Sequence, residues 1–172
     1  HFWFDMNRMA DAAQLMGVEL TQITGDFAYT TCADTTATQI QDAESDVREI
    51  LESVPVENRI LVTDHDALGY LADLYGYEIA GTVIPAGTTL ASPSSADLAE
   101  LVATIDAEGV TAIFANTAEP SALAEAVATE TGADISVIPL YVGSLGAPDS
   151  PAATYIDMMR TDAQLIAQGL QG

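Results

Sequence analysis

Short apolar runs alternate with longer amphipathic stretches after residue 58, and this alternation most limits the folds open to the chain. The predicted strands are 60–63, 77–84, 110–115 and 135–140. The predicted helices are 67–75, a segment from the cap at 92–97 to about 108, 120–131 and a last helix from 150–151 onward. Such alternation favours a parallel sheet with helices on both faces. We therefore expect an α/β fold with a four-stranded parallel sheet.

Turn-forming residues separate these predicted elements. Gly76 and Gly109 each follow a predicted helix, where glycine commonly ends the last turn. Pro85 and Gly87 close the second predicted strand, and segment 92–97 supplies hydroxyl groups suited to cap the next helix. The positions of these turn-forming residues therefore agree with the alternating pattern of strands and helices.

In open parallel sheets, ligands bind beyond the carboxyl ends of the strands. The loops that begin at Asp64, Asn116 and Tyr141 follow the first, third and fourth predicted strands. These loops are therefore the predicted location of a functional site, although the rule does not identify the ligand.

The first 56 residues are mainly helical in pattern, with a short helix predicted at 6–20 and one long polar helix at 28–53. The apolar stripe predicted on the long helix comprises Tyr29, Cys32, Thr36, Ile40, Ala43, Val47, Ile50 and Leu51. A long helix with one narrow apolar stripe suits a strut between two lobes. Cys32 is the only cysteine, so we expect either a buried thiol or a partner outside this sequence.

The charge of the chain excludes several classes of partner. There are 26 acidic and 4 basic residues, for a net charge of −22, and lysine is absent. Nucleic acids and anionic membrane surfaces are bound through lysine and arginine, so neither is an expected partner. No apolar stretch approaches the roughly 18 residues that cross a bilayer. The acidic surface either concentrates cations or is simply a solvated face.

The two histidines have unusual neighbours. His65 directly follows the first predicted strand, between Asp64 and Asp66. A carboxylate beside an imidazole can orient it toward a divalent cation, but a hydrogen-bonded histidine at a helix cap would have the same local sequence. Asp66 also suits the first turn of the next helix as an acid. His1 is either a frayed terminal residue or a ligand.

Common catalytic patterns are absent from the sequence. No GxGxxG or P-loop follows a predicted strand, and Ser144 lacks the surroundings of a nucleophile elbow. A small α/β enzyme that uses the 64–66 loop remains one hypothesis. The sequence does not otherwise indicate an enzyme.

Three segments resemble the metal-binding solute receptors of ABC importers, the ZnuA/TroA-like (cluster A-I) family. HFWFD at 1–5 is similar to the H-x-W-x-D segment of that family. VTDHDALGY at 62–70, followed by LADLYG at 71–76, resembles its T-x-H-D-A-F-G-Y-F…Y-G segment. GSLG at 143–146 and SPAATYIDMMR at 150–160 resemble its C-terminal signature.

The resemblance implies half of a two-lobed fold resembling periplasmic binding proteins. In that arrangement 1–25 end the N-terminal lobe, 26–56 form the linking helix and 57–172 form the C-terminal α/β lobe. The implied function is a non-enzymatic, monomeric extracytoplasmic receptor, periplasmic or anchored as a lipoprotein, that delivers a divalent metal ion to an ABC permease. An adhesion or scaffold module that has lost transport is the alternative from another class.

The resemblance also implies that His1 and His65 are metal ligands. Manganese receptors of the family tend to carry a carboxylate at the position of His65, and imidazole nitrogens suit zinc, so zinc is preferred over manganese as the transported ion. Many relatives carry a ligand aspartate at the position of Gly143. The fourth coordination position is therefore filled by water, filled by another carboxylate such as Asp149, or empty.

Two further residues are candidates for indirect contact with the site. Asn116 stands where relatives often carry an acid, so it either contacts the site indirectly or serves as a polar loop cap. Asp66 follows His65 and is a second candidate for an indirect contact.

Overall fold

A computed structural model describes residues 1–84, 93–132 and 134–171. Pro85, Gly87 and Ser92, which the sequence analysis places in a turn and a cap, lie outside these residues. The helices are α1 (Met6–Thr24), α2 (Ala28–Glu52), α3 (Gly69–Tyr75), α4 (Ser95–Glu108), α5 (Ala122–Glu130) and α6 (Tyr155–Gln171). The strands are β1 (Ile60–Thr63), β2 (Glu78–Thr82), β3 (Ala112–Asn116) and β4 (Ser136–Leu140).

The four strands form one parallel sheet in the order β2-β1-β3-β4, which confirms the predicted α/β class and sheet. Val62 of β1 pairs with Ile113 of β3, and Asn116 at the end of β3 pairs with Leu140 of β4. The chain moves outward to β2 on one side and to β4 on the other. The carboxyl ends of β1 and β3 therefore adjoin at the switch point where such sheets bind ligands.

Helices cover both faces of the sheet. On one face, Val62 and Ile113 pack with Leu101, Ile105 and Val127 of α4 and α5. The opposite face contributes side chains to a larger core with α2, α3 and α6: Leu61, Phe114, Leu140, Leu51, Leu71, Met159 and Ile166. Because both faces of the two central strands are buried, β1 and β3 read as nearly continuous apolar runs.

Helices α1 and α2 form a hairpin that turns at Gly25, whose φ of 76° is readily adopted by glycine. A Cβ added at Gly17 of α1 would overlap the Cβ of Ala33 of α2, so the two helices are in close contact there. Among the described residues, no helix combines the length and the apolar character needed to cross a membrane.

The buried stripe of α2 differs from the predicted one in its first half. Its buried residues are Ala33, Ala37, Ile40, Ala43, Val47 and Leu51. Tyr29 and Cys32 are exposed, and Thr36 is only partly buried. The close approach of α1 favours alanine at the contact and leaves larger neighbours outside. The expectation of a buried Cys32 thiol is therefore wrong.

The last helix begins later than predicted, at Tyr155 rather than at 150–151. The backbone forms turns before it, with Ser150 N donating to Ala147 O (2.9 Å) and Gly146 N donating to Ala152 O (2.9 Å). The Thr154 hydroxyl accepts from Asp157 N at 3.2 Å and so caps the first turn of α6.

Candidate metal centre

Asp64 joins the ends of the two central strands. Its Oδ1 accepts hydrogen bonds from the backbone N and the ring Nδ1 of His65, both at 2.8 Å. Its Oδ2 accepts from the backbone N of Asn116, at the end of β3, at 2.7 Å. Because a carboxylate accepts, Nδ1 of His65 carries the proton and Nε2 presents its lone pair. The imidazole is thereby oriented as ligand histidines are in metalloproteins.

The backbone around His65 is also held in place. The Thr63 hydroxyl and the backbone N of Ala67 both donate to the carbonyl oxygen of His65, each at 2.8 Å. His65 is 7% exposed and Asp64 8% exposed. The imidazole is therefore placed by the end of β1 rather than by a mobile loop.

The segment that carries His1 is fixed by its other residues. Trp3 Nε1 donates to the carbonyl oxygen of Val142 at 3.1 Å, and the Tyr155 hydroxyl donates to the carbonyl oxygen of Trp3 at 2.7 Å. Phe4 is fully buried in the core. Asp5 accepts from the backbone N of Arg8 at 3.0 Å and caps α1. The H-x-W-x-D spacing thus supplies an anchor and a helix cap behind one imidazole.

The two histidine rings meet, although 64 residues separate them along the chain. Their Nε2 atoms are 3.4 Å apart, and their ring centroids are 5.1 Å apart with the planes at 60°. Trp3 contacts the His1 ring edge-on, at a centroid distance of 5.0 Å. The arrangement points two nitrogen donors at one small volume, where they can share a proton or a cation.

The other candidate residues, Asn116, Asp66 and Asp149, lie at different positions relative to the histidines. Asn116 is buried, and its Oδ1 accepts from the backbone N of Ala118 at 3.1 Å, so its side chain caps the loop after β3. Asp66 is exposed and lines an open cavity that His1 also lines. Asp149 is exposed on the loop before α6.

Glu119 was not predicted from the sequence, yet it lies in this region. One carboxylate oxygen of Glu119, one of Asp64 and one ring nitrogen of His65 lie within 4.8 Å of one another. Glu119 follows β3 by three residues, so an acid in that loop was the available signal. The acid was overlooked because acidic residues are frequent throughout the chain.

A buried acid supports the loop after β4. Asp162 of α6 is 1% exposed, and its Oδ1 accepts from the backbone N of Tyr141 at 3.0 Å. Burial raises the pKa of Asp162 to about 7, although the hydrogen bond from Tyr141 opposes that rise. Burial likewise raises the pKa of Tyr155, which holds the His1 segment through Trp3.

Comparison with known proteins identifies relatives of this chain. The chain is 29% identical to the zinc-binding protein TroA of Treponema pallidum, over 99% of this chain and 56% of that protein. It is 23% identical to the manganese-binding lipoprotein MntA of Halalkalibacterium halodurans, with the same two coverages. The chain thus spans about half the length of the curated relatives it matches.

The structural comparison agrees. The chain superimposes on the structure of the periplasmic zinc-binding protein TroA of Treponema pallidum with a TM-score of 0.89 and 27% identity, over 99% of this chain and 63% of that one. A family model described as zinc-uptake complex component A, periplasmic, matches residues 1–169. The chain belongs to this family of metal-binding transport receptors, which are not enzymes.

Proposed function

We propose that this chain supplies the distal part of an extracytoplasmic receptor that captures zinc and delivers it to an ABC importer. The proposed division is 1–25 as the end of a first lobe, 26–56 as a linking helix and 57–172 as a second lobe. His1 and His65 are the proposed ligands from this chain. The permease is the proposed partner, and the receptor acts as a monomer on the outer side of the membrane.

The observation that carries the proposal is the distance between the two Nε2 atoms. Zinc–imidazole bonds of about 2.0–2.1 Å at a tetrahedral angle would place two ligand nitrogens about 3.3–3.4 Å apart. The Nε2 atoms of His1 and His65 are 3.4 Å apart. Zinc binding would therefore need little change in the separation of these two nitrogens.

The proposed choice of zinc over manganese follows from the donor atoms. Imidazole nitrogen is a good ligand for zinc, whereas manganese prefers a set dominated by oxygen. Relatives of this chain include a zinc-binding and a manganese-binding protein, so membership of the family alone does not decide the metal. The support for zinc is the pair of facing histidines.

The decisive experiment is zinc titration of the intact receptor by calorimetry or chelator competition, with and without His65→Ala. We expect zinc affinity to fall by more than about 100-fold. Even the loss of a group that only hydrogen-bonds to a metal ligand costs about 10- to 100-fold. Manganese titration of the unmodified protein should show weaker binding than zinc.

Glu130→Gln is the control, since Glu130 is exposed at the far end of α5. Circular dichroism would establish that both variants fold. Unchanged zinc affinity in His65→Ala would contradict the proposal. An intact, folded receptor that binds no metal would instead favour an adhesion or scaffold role.

A further inference from the structure

We infer that Asp162 is a positioning residue for the metal site: it holds the loop on which the segment of His1 is anchored, and so supports metal affinity without touching the ion. The inference rests on the proposed function, because it takes His1 to be a ligand. The observation behind it is a series of contacts that leads from α6 to the His1 ring.

The contacts pass through the loop after β4. The backbone N of Tyr141 donates to Asp162 Oδ1 at 3.0 Å. The carbonyl oxygen of Val142, the next residue of the loop, accepts from Trp3 Nε1 at 3.1 Å. Trp3 contacts the His1 ring edge-on, at a centroid distance of 5.0 Å. Asp162 therefore fixes the backbone that binds the indole of Trp3, and the indole lies against the proposed ligand.

Tyr155 makes a second contact from α6 to the same tryptophan. It precedes Asp162 by close to two helical turns, so both side chains leave one face of α6. Its hydroxyl donates to the carbonyl oxygen of Trp3 at 2.7 Å. Trp3 is thus held at its backbone through Tyr155 and at its ring through the loop that Asp162 supports, which restricts the orientation of the indole.

His1 depends on such support more than His65 does. The ring of His65 is buried and receives its orientation from the carboxylate of Asp64. His1 is exposed, and within the described part of the chain its ring has a hydrogen-bond partner only in Nε2 of His65, the other proposed ligand. The packing of His1 on Trp3 therefore does for this ring what a hydrogen-bonded carboxylate does for His65.

Stability alone does not account for an acid at this place in α6. Asp162 is 1% exposed, and no partner among the described residues engages its Oδ2. Burial of a carboxyl group with an unpartnered oxygen costs free energy, which an apolar side chain of similar size would avoid. A carboxyl oxygen can accept from Tyr141 N whether or not the group carries a proton. Asparagine would preserve this hydrogen bond, and leucine would remove it.

The first test compares Asp162→Leu with Asp162→Asn in the intact receptor, by chelator competition for zinc. Asp162→Leu should lower zinc affinity by about 10-fold, the lower end of the range for groups that support a ligand. Asp162→Asn should rescue affinity to within about 3-fold of the unmodified protein. Asp106→Leu, an exposed change on α4 at the opposite face of the sheet, is the matched control and should also stay within about 3-fold.

The second test breaks the same series of contacts at its other end. Trp3→Phe keeps an aromatic ring beside His1 and removes the donor to Val142, so zinc affinity should again fall by about 10-fold. The double variant Trp3→Phe/Asp162→Leu should bind zinc about as well as the weaker single variant, because both changes act through one loop. Independent effects would instead multiply to a loss of about 100-fold.

The absorption spectrum of bound Co²⁺ separates positioning from a merely structural role, because it reports the geometry of the ligands. The spectrum should change in Asp162→Leu and Trp3→Phe and remain that of the unmodified protein in Asp162→Asn. A residue that only stabilises the fold would lower the melting temperature and leave the spectrum of the folded receptor unchanged.

The outcomes distinguish this inference from the proposed function. If His65→Ala loses zinc binding while Asp162→Leu and Trp3→Phe bind zinc as the unmodified protein does, the inference is overturned and the proposed function stands. Multiplied losses in the double variant would also overturn it. If Asp162→Leu does not fold by circular dichroism, Trp3→Phe decides, since unchanged zinc affinity there overturns the inference. If His65→Ala binds zinc normally, the proposed function fails and the inference fails with it.

Discussion

The α/β layers and the α1–α2 hairpin bury their apolar residues to very different extents. Leu61, Ile113 and Phe114 of the sheet are at most 1% exposed. In the hairpin, Ile23 is 77% exposed and Phe27 76% exposed. Sheet residues have helices on both sides, whereas Ile23 and Phe27 lie beside the turn of the hairpin, where only a narrow stripe of each helix is buried. An apolar residue therefore indicates burial reliably in the first region and poorly in the second.

The same difference separates the two histidines. His65 is held by a buried strand end and by hydrogen bonds to its ring and backbone. His1 is exposed and depends on Trp3 and Phe4 to keep its position. One ligand is thus placed by the sheet and the other by a segment docked onto it.

The largest expected effect is the difference between two phenylalanines. Phe114→Ala should lower the free energy of unfolding by about 3–5 kcal/mol, because it leaves a cavity in a core closed on both sides. Phe27→Ala in the hairpin should change it by less than about 0.5 kcal/mol. Urea unfolding of the 172-residue chain followed by circular dichroism measures both. Equal effects would remove the contrast between the regions.

The next effect concerns a buried carboxyl group and its dependence on pH. The pKa of Asp162 is raised from 3.8 to about 7 in the folded state, so the folded chain binds a proton that the unfolded chain releases between these values. Its contribution to stability is therefore present below about pH 4 and is lost as the pH rises through 7.

Asp162→Asn removes this titration. The free energy of unfolding of Asp162→Asn minus that of the unmodified chain should rise by about 2–4 kcal/mol between pH 4 and pH 8. Asp42→Asn, an exposed change on α2, should differ by less than about 0.5 kcal/mol between the two pH values. Denaturant unfolding at several pH values tests both, and a flat difference for Asp162→Asn would contradict the assignment.

The smallest of these effects concerns the contact between the two helices of the hairpin. Gly17→Val should destabilise the chain by about 1–3 kcal/mol, because the new side chain overlaps Ala33 of α2. Gln14→Val places the same residue on an exposed part of α1 and should have little effect. Thermal unfolding would distinguish them, and similar melting temperatures would show that the hairpin is loose throughout.

Sequence analysis predicted the sheet better than it predicted the hairpin or the complete site. The strand bounds differ by at most two residues at either end, because short apolar runs bounded by turn residues identify strands. The buried stripe of α2 differs from the predicted one because Gly17 of α1 contacts Ala33 of α2. The local sequence pattern of α2 does not indicate this contact. The late start of α6 depends on turns at 146–154 that compete with the helix.

By itself, the sequence determined the order of strands and helices, the position of His65 at the end of β1 and the acidic character of the surface. These properties follow from local periodicity, from chain order and from composition. The tertiary structure decided that His1 reaches His65, that Asp64 orients the imidazole of His65 and that Glu119 lies near Asp64 and His65. Such distances join residues far apart in the chain, so they are set by strand order and helix packing.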